Sequence, residues 1–334
     1  MEAPQLTVII EWENVRLSEI GRAKAMLRNL VEQIRQLRTP IPGGGDRQSF
    51  VGPSPSHVEV VVLYNDEEID GRAVESIVTA LVPRHSSDFE LRIIPASGLH
   101  YYELKNFGAR LAKGDLVVFL DSDVIPQPNW LVNLVGSFAN PEIQVVGGES
   151  YIDPEDLVGK TLALFWFFDR RSTAGGLFKK QHFWANNVAF RRETLLRHPF
   201  PKMGDGVNRG SCSELARILL RNGIEIHRNS SAQVSHPAPN GFRHIVTRAI
   251  AEGRDRVFFV HSDPHQLSRR NSLQRLGSRL KSLGTIVQER ESVGLPAWQL
   301  PMALGLCAMY QLLQFYGEVR TRANPDVMRR KFQI

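Results

Sequence analysis

The stretch Gly114-Asp115-Leu116-Val117-Val118-Phe119-Leu120-Asp121-Ser122-Asp123 constrains this chain most. Its apolar run is short and rich in Val and Phe, which suits a strand covered on both faces. The run stops at two carboxylates one residue apart, and Pro126 and Pro128 follow at once. A strand of this kind belongs to an open α/β sheet, where ligands gather outside the carboxyl ends of the strands. Asp121 and Asp123 sit at that end. Their oxygens suit a hard divalent cation, Mg2+ or Mn2+. Two Asp in a turn can also simply cap the next helix, and the spacing alone leaves both readings open.

The first half of the chain repeats this design. Apolar, β-branched runs at 6–10, 58–63, 89–94 and 116–120 alternate with helical patterns at 17–37, 70–81 and 101–113. That rhythm predicts a mostly parallel, Rossmann-like sheet with helices on both faces. A Pro- and Gly-rich stretch at 39–57 predicts a long, flexible surface loop. Further on, the pattern predicts a helix at 130–138, a strand at 143–147 and an apolar, aromatic helix at 157–168. Gly175-Gly176 marks a loop, 183–193 a strand turning into a helix, and 213–221 a helix ended by Asn222-Gly223. Two short strands, 224–227 and 232–234, close this part.

Strand signals vanish from residue 242 onward, and 244–260, 266–290 and 298–321 all read as helices. The chain therefore divides into an α/β domain, 1–239, and a helical C-terminal extension, 240–334. The extension is basic: it holds 15 Lys/Arg against 7 Asp/Glu, a net of +8, within a whole chain of +6. Such a surface attracts nucleic acid, anionic lipid or an anionic substrate. No nucleic-acid motif is visible and no set of stacking aromatics interleaves the basic residues, so no nucleic-acid partner is expected. Residues 296–317 carry no charge, close to the ~20 residues that span a bilayer. Gln299, Gln311, Gln314, two Tyr and two Pro weaken that reading. A buried helix, an interfacial helix and a span all stay open. Arg269, Arg270, Arg275 and Arg279 before it, and Arg320, Arg322, Arg329 and Arg330 after it, favour anionic lipid. Two cysteines, Cys212 and Cys307, are too few for a disulfide framework and point to a reducing compartment. With no signal-peptide pattern at residues 1–6, the expected location is cytoplasmic, peripheral at the inner face of the cell membrane.

The order of motifs resembles glycosyltransferase family 2, with its GT-A fold. The likeness runs from residue 6 to about 239. It is carried by the opening strand with Asn14 after it, by Asn106-Phe107-Gly108-Ala109-Arg110, and by residues 112–123. Pro126-Gln127-Pro128-Asn129-Trp130-Leu131, Ala185-Asn186-Asn187-Val188-Ala189-Phe190-Arg191-Arg192 and residues 210–223 continue it. The resemblance implies transfer of a sugar from a nucleotide diphosphate sugar, with a divalent metal held by Asp121 and Asp123. It implies a His after the last short strand near the metal or diphosphate, and His236 stands there. Asn106, Ser122, Asn186 and Asn187 would lie near the donor or acceptor pocket. A Gln-x-x-Arg-Trp segment, found in processive synthases of the family, is absent, so single-sugar transfer is expected. The acceptor would be a lipid-linked molecule or a glycan.

Three departures stand out. The first strand ends in Glu11-Trp12-Glu13-Asn14 where the family usually has Pro-Thr-Tyr-Asn. The second ends in Leu63-Tyr64-Asn65-Asp66-Glu67 where one or two Asp precede Gly-Ser. Tyr64, Asn65, Asp66, Glu11 and Glu13 are thus candidates to hold the base of the donor. At the family's Gly-Glu-Asp-x-Glu-Leu, which supplies the Asp that deprotonates the acceptor, this chain reads Gly210-Ser211-Cys212-Ser213-Glu214-Leu215. A thiol is mostly protonated at neutral pH and substitutes poorly for a carboxylate. Glu214 and Asp205 are the alternative bases, although Ser211-x-x-Glu214 also fits a capping box. The competing expectation is a nucleotide-sugar-binding pseudoenzyme, or a subunit that needs a partner.

Overall fold

The computed structural model describes residues 6–16, 18–38, 58–84, 86, 89–203, 210–260 and 272–331. The loop expected at 39–57 and the candidate base Asp205 lie outside them. In chain order the elements are β1 (Leu6–Glu11), α1 (Ile20–Arg38), β2 (Val58–Tyr64), α2 (Gly71–Thr79), β3 (Glu90–Pro95), α3 (Tyr101–Leu111) and β4 (Leu116–Asp121). Then come β5 (Ile125–Pro126), α4 (Trp130–Gly136), β6 (Val145–Ile152), α5 (Leu157–Phe165), β7 (Leu177–Lys180), β8 (Asn187–Arg191), α6 (Arg192–Arg197), α7 (Ser211–Arg221) and β9 (Ile226–His236). The chain ends in α8 (Gly241–Val260), α9 (Ser272–Glu289), α10 (Leu300–Ala323) and α11 (Pro325–Lys331).

Two compact units result. The first holds Met1–Ser150, Arg171–Lys202 and Ser211–His236; the second holds Tyr151–Arg170, Met203–Gly210 and Pro237–Ile334. The first is an α/β unit around one sheet, in the order β3-β2-β1-β4-β8-β6-β9-β5, with β7 paired to β9. The four strands read from the alternating rhythm are parallel: β1 pairs with β2 and β4, and β2 with β3. Beyond β4 the direction reverses, because β8 pairs antiparallel with β4 and with β6.

Strand alternation sends successive side chains to opposite faces. Val8, Ile10, Val60, Val62, Val118 and Leu120 join one core with residues of α1, α2 and α4, such as Leu30, Val78 and Leu134. Ile9, Val61, Leu63, Val117 and Phe119 join the other with Leu104 of α3 and Leu215 of α7. Each such fully buried side chain stabilises by roughly 1.5–3 kcal/mol. Both faces are covered, as the unbroken apolar runs require. Gly108 brings α3 against the sheet: a Cβ there would lie 2.7 Å from Leu63 Cδ1 and 2.8 Å from Ile9 Cγ2.

The second unit is helical. Leu162 and Trp166 pack with Ile245, Ala249 and Tyr310. Helices α8 and α10 approach until backbones touch: a Cβ on Gly253 would lie 1.9 Å from Gln314 O, and one on Gly317 2.2 Å from Ile250 O. Between them Glu252 accepts from Trp166 Nε1 (2.5 Å), Tyr310 OH (2.8 Å) and Gln314 Nε2 (2.7 Å). Helix α10 covers most of the uncharged segment. No described helix is long and apolar enough to cross a membrane, so the spanning reading falls.

Two details of the sequence reading change. The strands expected at 224–227 and 232–234 are one strand, β9, which begins at Ile226 and whose polar middle alternates between buried and partly buried positions. The strand β7 follows the Gly175-Gly176 loop with all four residues exposed, so no burial pattern announced it.

Candidate active site

The carboxyl ends of β1, β2 and β4 converge, and their loops carry most of the polar candidates. Glu11 stands beside Asp121 on the neighbouring strand, in register. Asp121 is 2% exposed. Lys105 Nζ lies 2.6 Å from its Oδ1; Tyr101 OH donates at 2.6 Å and Asn14 Nδ2 at 3.1 Å to its Oδ2. Lys105 is itself fully buried, its ammonium 4.5 Å from the centre of the Tyr101 ring. A buried carboxylate paired at this distance with a buried ammonium and two further donors is a fixed group. Asp121 is thereby held by side chains on both oxygens.

Asp123 is arranged differently. Its Oδ2 lies 3.9 Å from His236 Nε2 at the end of β9. Ligands of one octahedral ion with bonds of ~2.1 Å lie about 3.0 Å apart when adjacent and about 4.2 Å apart when opposite. Asp123 and His236 therefore fit one ion with little movement, and carboxylate with imidazole is a donor set that Mn2+ accepts. Arg22 of α1 ties the two ligand loops together. Its Nε donates to Asp123 O at 3.0 Å, and its Nη2 donates to Ser235 O at 3.0 Å and Ser235 Oγ at 3.1 Å.

The strand ends also hold buried polar atoms with no hydrogen-bond partner among the described residues: Glu11 Oε1 and Ser122 Oγ. Orphaned polar atoms are costly when buried, and a ligand would satisfy them. Glu11 accepts from Glu13 N at 2.9 Å through its other oxygen. Burial first, then Asp121, pushes its carboxyl well above the usual range, against the pull of Lys105. Glu13 is engaged by His100 Nδ1 at 3.0 Å and by the Tyr101 N–H at 2.7 Å. Glu13, Glu68 and His100 bring three potential ligand atoms within 4.8 Å of one another. Glu68, however, is paired with Arg16, so this group is an ion-pair knot at the mouth of the strands.

Other candidates serve the frame. Tyr64 is buried in the core, its hydroxyl against Gly71. Asn65 Oδ1 accepts from the N–H groups of Glu67 (3.1 Å) and Gly98 (3.0 Å) and so holds the loop after β2. Asp66 accepts from Ser97 Oγ at 2.7 Å. Asn106 exchanges hydrogen bonds with the backbone of Phe200 at 2.8 and 2.9 Å. Asn187 accepts from Trp130 Nε1 at 2.8 Å and donates to Glu149 O and Ala232 O, both at 3.1 Å. Asn186 is buried beside it and accepts from Ser150 Oγ at 2.9 Å.

At the segment expected to supply the base, Cys212 is buried and accepts from Tyr102 OH at 3.3 Å. Burial pushes its thiol up, against the hydrogen bonds from Tyr102 and Ser213, so it stays protonated. Glu214 pairs with Arg217 one turn on, and that hydrogen bond holds its carboxyl below the usual range. Glu214 is therefore ionised but a weakened base. Ser211 donates its hydroxyl to Pro201 O at 2.7 Å.

Lys105, Tyr101 and Arg22 were not singled out from the sequence. Tyr101, Leu104, Lys105 and Gly108 fall on one stripe of α3 at helical spacing. A Lys inside an inward stripe was the available signal.

Residues 47–197 match the family model of glycosyl transferase family 2. The chain is 26% identical over 200 residues to the glucosyl-dolichyl phosphate glucuronosyltransferase of Haloferax volcanii, covering 54% of this chain. It spans only 59% of that relative's length. The structure resembles that of a mannosyltransferase from Pyrobaculum calidifontis in complex with GDP-Man and Mn2+, with a TM-score of 0.55 at 19% identity. That likeness covers 98% of this chain and 89% of the other. The resemblance read from the sequence is matched by the family 2 glycosyltransferase model over residues 47–197, and the fold is GT-A with a C-terminal helical extension.

Proposed function

We propose that the protein moves a single sugar from a nucleotide diphosphate sugar to a lipid-linked or glycan acceptor, with inversion, and with Mg2+ or Mn2+ held by Asp123 and His236. The observation that carries this is the pairing of those two side chains at 3.9 Å beside a buried, side-chain-bound Asp121. The ion, when bound, supplies Lewis-acid neutralisation of the charge that builds on the departing diphosphate. The protein's own residues do the rest. Lys105, Tyr101 and Asn14 fix Asp121 at the end of β4. Arg22 holds the Asp123 and Ser235 backbones together. Glu11 and Ser122 offer buried polar atoms to the donor.

The catalytic apparatus belongs to 1–239 in this reading, and 240–334 is an extension into whose helices Tyr151–Arg170 are drawn. The likeness to the glucosyl-dolichyl phosphate glucuronosyltransferase of Haloferax volcanii supports a lipid-linked acceptor. Such an acceptor places the protein on the cytoplasmic side of the cell membrane. A hydroxyl acceptor must lose a proton, and Glu214 or Asp205 is the base we assign. A phosphate acceptor is already ionised near neutrality, with its second pKa at about 6, and would need neither.

The second reading, a donor-binding pseudoenzyme or partner-dependent subunit, is favoured by the buried, protonated Cys212. A panel of nucleotide sugars with Mn2+, offered hydroxyl and phosphate acceptors in turn, separates the two. Transfer to either acceptor supports the enzyme. Donor binding with no nucleoside diphosphate released under any condition supports the second reading. Glu214→Gln should lower transfer to a hydroxyl at least ~100-fold if Glu214 is the base, and leave transfer to a phosphate unchanged.

A further inference from the structure

Helix α10 is built inside out. Its buried side carries Tyr310, Gln314, Gly317 and Thr321, whereas Met302, Leu312, Phe315, Tyr316 and Val319 are exposed. Trp298, just before the helix, is 73% exposed and Leu312 is 69% exposed. At about 100° per residue, the five exposed side chains fall within about 140° of arc, centred opposite the buried set. The inward polar groups are satisfied: Tyr310 and Gln314 donate to Glu252, and Thr321 Oγ donates to Gly317 O at 2.6 Å. The inversion is therefore stable on its inner side, and what it leaves outside is a stripe of large apolar side chains. Contiguous exposed apolar surface of this kind marks an interaction site.

We propose that this outer face of α10 docks on an anionic lipid bilayer. Three observations select lipid. The stripe includes Tyr316, and exposed Trp298 lies just before the helix; both are residue types that settle at the membrane–water interface. Arg320 and Arg322 are exposed on its two flanks at the carboxyl end. The charge of the chain is complementary to anionic headgroups here: residues 240–334 hold 15 Lys/Arg against 7 Asp/Glu, and the acidic residue of α10, Glu318, is buried. The inner side of the helix is packed on α8, so α10 lies along the surface with its apolar stripe among the headgroups. The surface serves the lipid-linked acceptor proposed above, and its own residues argue for it whether or not the acceptor assignment stands.

The test uses the full chain with neither donor nor metal, so its failure is separate from failure of the transferase reading. Co-sedimentation is measured with vesicles of phosphatidylcholine alone and with phosphatidylglycerol added, alongside sedimentation velocity without lipid. Wild type should bind the anionic vesicles and stay free of the neutral ones. The double variant Leu312→Glu/Phe315→Glu should lose binding at least ~100-fold, and Leu312→Glu alone, at a position 69% exposed, should lose binding at least ~10-fold with an unchanged melting curve. Arg320→Gln and Arg322→Gln should each weaken binding about fivefold and flatten its salt dependence. Binding that survives the double variant overturns the assignment. So does wild type that ignores anionic vesicles, whether it sediments as a monomer or as a dimer that Leu312→Glu/Phe315→Glu dissociates; the dimer would make a second copy of this chain the occupant.

Discussion

Asp121 in the α/β unit and Glu252 in the helical unit are both held by a tyrosine hydroxyl and a side-chain amide. The distances are 2.6 and 3.1 Å at Asp121, and 2.8 and 2.7 Å at Glu252. Their remaining partners differ. Glu252 takes the neutral indole of Trp166 at 2.5 Å, with Arg248 at 3.7 Å. Asp121 takes the fully buried ammonium of Lys105. The surroundings of Asp121 matter too: it shares its corner with Glu11 and Asp123. Glu252, bonded by neutral donors with one longer arginine contact, locks helices together and ends there. One cation set against several acids leaves a negative excess, which attracts a further cation. The same hydrogen-bonding side chains thus build a clasp in one unit and a receptive site in the other.

Removing the cation tests this contrast most severely. Lys105→Met leaves Asp121 buried without its counter-charge and should cost about 3–5 kcal/mol, read from the urea midpoint. A loss under ~1 kcal/mol would mean that Asp121 simply takes up a proton and that the pair is not what holds the corner. Asp123→Asn is the next largest effect. It should weaken Mn2+ binding more than ~100-fold, measured by calorimetry, with the urea midpoint unmoved. Equal Mn2+ affinity would remove Asp123 from the metal site.

The clasp should answer differently. Gln314→Leu deletes one hydrogen bond to a charged group and should cost about 1.5–3 kcal/mol, with Mn2+ binding unaffected. Arg22→Gln should lower Mn2+ affinity about tenfold while nucleotide binding without metal persists; parallel losses in both would reduce Arg22 to a general structural role. The smallest effect is a pH dependence at the mouth of the strands. The hydrogen bond that His100 donates to Glu13 raises the His100 pKa, against its partial burial. The raised folded value means that this stabilisation is complete below about pH 6.5 and disappears as pH rises through the folded pKa. His100→Gln should flatten the stability profile in that window; an unchanged slope would assign it to another group.

The parallel strands were legible because each is a short run rich in Val, Ile and Leu, and Asp121-Ser122-Asp123 because it terminates one. Lys105 was not legible. Its type ordinarily stays in water, and only the fit of Gly108 against β1 and β2 brings the helix close enough for it to reach Asp121. The donor set proposed at Asp123 was half legible: the family resemblance points to His236, whereas the clamp by Arg22 spans 101 and 213 residues of sequence. Helix α10 was read at 298–321 and found at Leu300–Ala323. Which side of its carboxyl half faces inward could not be read, since burial there follows the backbone contact at Gly317 and the bonds to Glu252 while Leu312 stays exposed. Asn106 and Asn187 showed the residue types of a pocket, and their bonds run to backbone carbonyls and N–H groups of the frame.

The clasp on Glu252 also sets a schedule. Trp166 lies 86 residues ahead of Glu252 and 144 ahead of Tyr310. At translation speeds of ~5–20 residues per second, the indole waits roughly 7–30 s for its last partner. The helix that carries it packs its apolar side on segments not yet made. A ribosome-bound chain of this protein therefore presents a sticky, half-built surface while the 144 residues from Trp166 to Tyr310 are made, and late residues are the ones that relieve it.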